Sequence, residues 1–270
     1  MESDPRAWIA ALRNSHQRLV ALVAPLTPDQ LREQSYCEDW TNAQVLSHIG
    51  SGAEIALRML PGALGQAEHA SRDMFQQVRD IWNAKDPDAQ AADALAADEQ
   101  YLGALEQLGG DQLAAIRVPF IGTDLDSVGV IRLRLGEHAL HTWDIAVFSD
   151  PAATVAPDAV RLLIGTVPQF LAPRLGKPQQ QPLRARIRTS EPDRDYLLTA
   201  ADAVRMTDWP GEDGAGVGQS AGADGIVEIA MPAEALLRLA YGRLDPWHTP
   251  AGVSADPADL DRLRAIFPGV

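Results

Sequence analysis

Cysteine is almost absent: Cys37 is the only one among 270 residues. A single thiol forms no intramolecular disulfide. It also excludes zinc sites built on several thiolates and the paired-cysteine deaminase pattern. A reducing compartment is the natural setting for such a chain. Positive charge is scarce as well, since 23 Lys and Arg stand against 37 Asp and Glu, for a formal net charge of −14. An acidic surface repels phosphate backbones, so nucleic acid is not an expected partner, and solubility alone is reason enough for the acidity. No run approaches the roughly 20 apolar residues of a membrane helix. The start, "MESDPRAWIAALR", is charged where a signal peptide is apolar. The expected location is therefore the cytoplasm, with no membrane partner. Also missing are a P-loop and a G-x-S-x-G elbow, and "GEDGAGVGQSAG" holds no intact G-x-G-x-x-G between a strand and a helix.

What is present is globular: 46% of residues are hydrophobic and 22% charged. The length suits two modest domains. "SDPRAWIAALRNSHQRLVALVAPL" predicts a helix capped by Ser3 or Asp4, with Pro5 in its first turn and Pro25 and Pro28 ending it. "WTNAQVLSHIGSGAEIALRML" predicts a second, capped by Thr41 and stopped at Pro61-Gly62. A third lies within "AEHASRDMFQQVRDIWNA". A fourth, "PDAQAADALAADEQYLGALEQLGG", closes at Gly109-Gly110. "RVPFIGTDLDSVGV" reads as a loop, and "LRLGEHALHTWDIAVF" as the last helix of a bundle. Beyond it, "PDAVRLLIGTVPQFLAPRLG" still reads as helical, whereas "PLRARIRTS" and "RDYLLTAADAVRMTDW" alternate like strands. "GEDGAGVGQSAGADG" reads as a turn or loop, "IVEIAMPAEALLRLAYGRL" as strand then helix, and "PADLDRLRAIFPGV" as a final short helix. The pattern predicts an α+β chain with a helical bundle over 1–153 and a smaller α/β domain over 154–270.

The last bundle helix is crowded with ligand-capable groups. Residues four apart share a helical face, so Glu137 and His141 point together, a carboxylate and an imidazole suited to a divalent metal. His138 and His141, three apart, can also converge, and spacing does not choose between Glu137 and His138. Two ligands rarely hold a metal, and His48, on the second helix beside Val45 and Ile49, is the candidate third. For each histidine alone, a hydrogen-bonded core role is the plainer reading. Three inward polar residues on two bundle helices favour a metal. A His2Glu set leaves a position open to bind a substrate, activate water or deprotonate a thiol. Asp144 either orients His141 from behind or serves as a surface cap. His16 and His69, among polar neighbours, are expected to face solvent, and His248 to sit in a surface loop. Cys37 precedes a helix start, where its pKa can fall, but reads more simply as a loop residue. Arg243 can bind a carboxylate in two-pronged fashion or merely complement a helix C-terminus.

Three segments resemble one family. "SYCEDWTNAQVLSHIG" resembles its Cys-x-x-Trp-Thr segment leading to a helix histidine, "GEHALHTWDIAVF" its Glu-x-x-x-His-x-Trp-Asp segment, and "MPAEALLRLAYGRLD" its helix ending in Gly-Arg. The chain is similar, over nearly its whole length, to the mycothiol-dependent maleylpyruvate isomerase family. That resemblance implies a DinB-like four-helix bundle followed by a sterol-carrier-like α/β domain. It implies a divalent metal, usually zinc, on His48, Glu137 and His141, thereby preferring Glu137 to His138. It further implies mycothiol as thiol cosubstrate and Arg243 as a catalytic arginine acting on a small-molecule substrate. The family includes isomerases and thiol transferases. A non-enzymatic protein enclosing an apolar ligand is the alternative from another class.

Overall fold

The computed structural model describes residues 3–120, 122–210 and 225–269; the glycine-rich segment expected as a loop lies almost wholly outside them. Contacts group the chain into two units, Met1–Ala159 and Val160–Val270.

The first unit is helical. Helices α1 (Pro5–Val23), α3 (Asn42–Ala63), α5 (Pro87–Gln107) and α7 (Ser127–Ser149) form a four-helix bundle in which α3 packs on α5 and α1 on α7. Short polar residues start each one, because a side-chain oxygen satisfies a free first-turn N–H. Asp4 accepts from the Arg6 amide, Asp86 from Ala89, and Asp126 from Gly129. Thr41 and Gln44 cap α3 reciprocally. Buried Trp8, Leu12, Leu19, Leu46, Ile49, Leu102, Ile131 and Leu135 fill the space between the helices. Helix α4 (Arg72–Asn83) lies against α3 and inserts Trp82, whose indole N–H donates to Glu54 Oε2 at 2.6 Å.

Three boundaries differ from the sequence reading. Pro28 opens a helix, α2 (Pro28–Arg32), capped by Thr27. A first-turn proline lacks only an N–H that would have no helical partner anyway. Helix α3 runs through Pro61 to Ala63, and the Leu64 amide still bonds the Leu60 carbonyl at 3.0 Å. A proline that late in a helix sacrifices a single bond. Gly110 begins α6 (Gly110–Ala115) instead of closing α5. The expected loop is an antiparallel hairpin, β1 (Val118–Phe120) and β2 (Thr123–Leu125), turning at Gly122 with φ of 80° and running straight into α7.

Helix α8 (Pro157–Leu163) spans the division between the units. The second unit continues with a π-helical turn (Val167–Leu171) and α9 (Ala172–Leu175). Four strands follow: β3 (Leu183–Ser190), β4 (Arg194–Ala200), β5 (Val204–Asp208) and β6 (Val227–Pro232). Their order is β5-β4-β3-β6, antiparallel except that β6 pairs parallel to β3. Leu183, Ala185, Ile187 and Thr189 are buried in alternation with three arginines, so one face of the sheet meets the core. Helices α10 (Ala233–Ala240) and α11 (Pro257–Ile266) complete the unit. The chain is thus α+β, a helical domain followed by a smaller sheet domain. No helix of the described residues is long and apolar enough to cross a membrane.

The junction of α3, α4 and α5 leaves no room at Gly50. A Cβ there would stand 2.4 Å from the Trp82 ring and 2.8 Å from the Ala94 Cα. Gly50→Ala is expected to destabilise the protein by about 1–3 kcal/mol through overpacking, despite the better helix propensity of alanine. Chemical denaturation measures this; an unchanged midpoint would mean that Trp82 moves aside freely.

Candidate metal centre

Helix α3 presents His48 towards α7, and α7 presents Glu137 and His141 one turn apart. His48 Nε2 lies 3.1 Å from Glu137 Oε2, and His141 Nε2 lies 3.6 Å from the same oxygen. The imidazole centroids are 4.8 Å apart, with the rings at 69°. Four-coordinate zinc with bonds near 2.0 Å requires ligand atoms about 3.3 Å apart, and the two separations bracket that value. The group is open on one side: the side chains of His48 and Glu137 keep 36% and 50% exposure, against 10% for His141.

His141 is oriented from behind. Its Nδ1 lies 2.8 Å from Asp144 Oδ2, an arrangement that keeps a proton on Nδ1 and directs Nε2 at Glu137 and His48. Asp144 is fully buried, which removes the surface-cap alternative. Cys37 donates its thiol to Asp144 Oδ2 at 3.2 Å, and the Tyr36 amide donates to the Asp144 carbonyl at the same distance. The cysteine is therefore packed against the carboxylate behind His141 and is not free at a helix start. Burial works against charge on His141, but hydrogen bonds with Asp144, Cys37 and Glu137 outweigh it and push the imidazole up to about 10. Burial likewise opposes charge on Glu137, and its bonds with His141 and His48 hold it well below the usual carboxylate range. An anionic oxygen beside two nitrogens suits a cation. The Trp40 indole forms a wall, 5.1 Å from the His48 ring and 6.0 Å from the His141 ring. Trp40 is the tryptophan of the Cys-x-x-Trp-Thr segment, to which the sequence reading assigned no role of its own.

A second cluster lies deeper in the bundle, around Arg134 and His138 of α7. Asp98 Oδ2 is 2.8 Å from His16 Nδ1 and 2.9 Å from His138 Nε2, while Oδ1 accepts from Arg134 Nη2 at 2.8 Å. Ser15 Oγ meets His138 Nδ1 at 2.8 Å. His16, expected to face solvent, is 5% exposed because α5 supplies Asp98 as its partner. His138 points away from Glu137 and has both nitrogens engaged. Although its donor atoms lie close enough to surround an ion, this cluster is a poor host. The Arg134 cation already occupies Asp98, and both ring nitrogens of His16 and of His138 are engaged. The His48, Glu137 and His141 group has neither obstacle.

The remaining candidates are His69, Arg243 and His248. His69 is exposed. Arg243 belongs to the second unit, just after α10 and Gly242 with φ of 74°. It is 9% exposed, its Nη1 donates to the Tyr241 carbonyl at 3.0 Å, and its own carbonyl accepts from Arg238 Nη1 at 3.0 Å. His248 sits in a 3-10 turn with Nδ1 2.7 Å from Asp245 Oδ2.

Residues 12–146, half of the chain, match the profile described as "mycothiol maleylpyruvate isomerase N-terminal domain". Among solved structures, a mycothiol-dependent maleylpyruvate isomerase superposes with a TM-score of 0.66 at 14% identity, covering 94% of this chain and 93% of that one. A histidine-to-alanine mutant of a mycothiol-dependent maleylpyruvate isomerase gives 0.65 at 13% identity with the same coverage. At such identities the likeness is one of fold. No curated protein matches the sequence significantly.

The buried cluster makes stability depend on acid. Burial raises the Asp98 pKa, but His138, His16 and Arg134 overcome it and hold the carboxyl well below its usual range. A carboxyl depressed in the folded state contributes stability above its unfolded value, near 4, and loses it as pH falls towards the folded value. Asp98→Asn is expected to cost about 3–5 kcal/mol at neutral pH by leaving Arg134 buried without its partner. The difference from wild type should shrink as pH drops below about 4. Denaturation curves over a pH series test this, and a constant difference would refute it.

Proposed function

The chain belongs to the mycothiol maleylpyruvate isomerase family, and from that premise we propose that it is a metal-dependent enzyme acting on a small electrophilic or unsaturated acid, with mycothiol as its thiol cosubstrate. The observation that carries this reading is the approach of His48 Nε2 and His141 Nε2 to one Glu137 oxygen, at 3.1 and 3.6 Å. These three residues are the proposed ligands. A divalent cation held there, zinc in this reading, supplies a Lewis acid that keeps a thiol sulfur ionised at neutral pH.

The protein's own groups do the rest. Asp144 retains the Nδ1 proton of His141 and so fixes which nitrogen faces the centre. Glu137 offsets one unit of positive charge. Trp40 keeps water from one side of both imidazoles. Arg243 is the proposed partner of a substrate carboxylate, for which its planar fork is suited. With an unsaturated acid such as maleylpyruvate, sulfur adds to the double bond, the resulting single bond turns, and sulfur leaves with its electron pair. The atoms balance, and no oxidant or reductant is consumed. A thiol transferase would use the same centre but keep the adduct. The reducing cytoplasm is the proposed location, and neither nucleic acid nor a membrane enters as partner.

Purified wild-type protein is expected to hold about one metal ion per chain, as an order-of-magnitude stoichiometry for three-ligand sites. His48→Ala should lose it. Turnover of maleylpyruvate or a panel of electrophiles should vanish without mycothiol, and the product will separate isomerase from transferase. Arg243→Ala should lower kcat/KM on the order of 100-fold for a carboxylate substrate. Equal metal in wild type and His48→Ala would overturn the ligand assignment. Copurified apolar ligand without thiol-dependent turnover would favour a binding protein instead.

A further inference from the structure

Metal ligands on two helices are useful only if the helices are held in register. Each residue advances an α-helix by about 1.5 Å and 100°, whereas a functional constellation tolerates about 0.5 Å. The apolar side chains between α3 and α7 do not set so fine a position, because hydrophobic contact is non-directional. Arg134 is directional. It starts on α7, one turn before His138, and its Nη2 donates to the Ile49 carbonyl on α3 at 2.8 Å, the residue directly after His48. The same nitrogen donates to Asp98 on α5 at 2.8 Å, and Asp98 in turn meets His16 of α1. The guanidinium is almost wholly buried. Space for it is provided by Gly52, one turn beyond His48, where a Cβ would lie 2.8 Å from Arg134 Nη1.

We propose that Arg134 is a positioning residue: by pinning the Ile49 carbonyl it sets the register of α3 on α7 and holds His48 opposite Glu137 and His141. This rests on the metal-centre reading above, but its test does not stand or fall with it. Gly52→Ala is the sharper variant. The added methyl pushes the tip of Arg134 off the Ile49 carbonyl, keeps every charge, and improves helix propensity. Arg134→Lys keeps the charge but shortens the reach and loses the planar Nη2 group, which donates to carbonyl and carboxylate together.

The experiment titrates Zn2+ into the metal-free full-length chain by calorimetry for wild type, His48→Ala, Gly52→Ala and Arg134→Lys, alongside thermal unfolding. A second readout needs no metal: the proton–proton contact between the His48 and His141 rings, whose centroids are 4.8 Å apart, followed by NMR in the metal-free protein. Both Arg134-directed variants are expected to fold and to bind zinc about 10- to 100-fold more weakly, the range for losing support behind a metal ligand. The ring contact should weaken in both. A purely structural Arg134 would change only the unfolding temperature. Folded variants with wild-type zinc affinity and an intact ring contact would overturn the proposal; if Arg134→Lys does not fold, Gly52→Ala decides it. Should wild type itself bind no zinc, the metal reading fails, while the ring contact still decides whether Arg134 positions His48.

Discussion

One buried carboxylate ties the bundle together. Asp98, on α5, faces a histidine from α1 and a histidine and an arginine from α7, and that arginine passes on to an α3 carbonyl. A carboxylate without exposure is tolerable only when every lone pair is used, and here the partners come from the other helices of the bundle. The requirement to neutralise Asp98 therefore fixes the relative placement of all four. Hydrophobic burial drives the helices together, but it would accept many sliding arrangements; the polar knot accepts far fewer.

The candidate metal centre lies beside that knot along α7 and obeys opposite rules. Two imidazole nitrogens meet one carboxylate oxygen there, with partial access to solvent, an arrangement a cation can use once the nitrogens give up their protons. The division of labour along α7 follows from depth and not from separate faces. Residues 134 and 141 lie about two turns apart on one side of the helix, yet Glu137 and His141 meet His48 and Trp40 whereas Arg134 and His138 reach the buried Asp98. Polar residues that look interchangeable in a linear reading serve two separate environments.

The fold was largely legible because caps and apolar periodicity are local. Thr41 and the stripe beginning at Val45 announce α3, and alternation from Leu183 announces β3. Proline and glycine misled where their meaning depends on position: Pro28 opens a helix, Pro61 is tolerated in a last turn, and Gly110 begins one. At the site, the four-residue spacing of Glu137 and His141 sufficed to put them on one face. Nothing in spacing brings His48, 89 residues earlier, to the same oxygen; its place beside Val45 and Ile49 on the second predicted helix made it the candidate, and the resemblance of "CEDWTNAQVLSHIG" to a family segment pointed the same way. The roles of His16 and Asp98 were illegible, since their pairing spans 82 residues and neither flank marks it. The distinction between His138 and Glu137 emerged only when each acquired its neighbour, Asp98 for the one and His48 for the other.

Trp40 gives the molecule an intrinsic optical reporter. Its indole lies beside both imidazoles, whereas Trp8, Trp82 and Trp143 are buried and Trp247 is almost fully exposed. Emission from an indole responds to the charge state and bonding of groups touching it, and here those groups are the two histidines at the centre. The ultraviolet fluorescence of this chain thus contains a component tied to the chemistry of α3 and α7; Trp8, Trp82, Trp143 and Trp247 differ from it in solvent access, whereas Trp209, half-buried like Trp40, lies against Arg186.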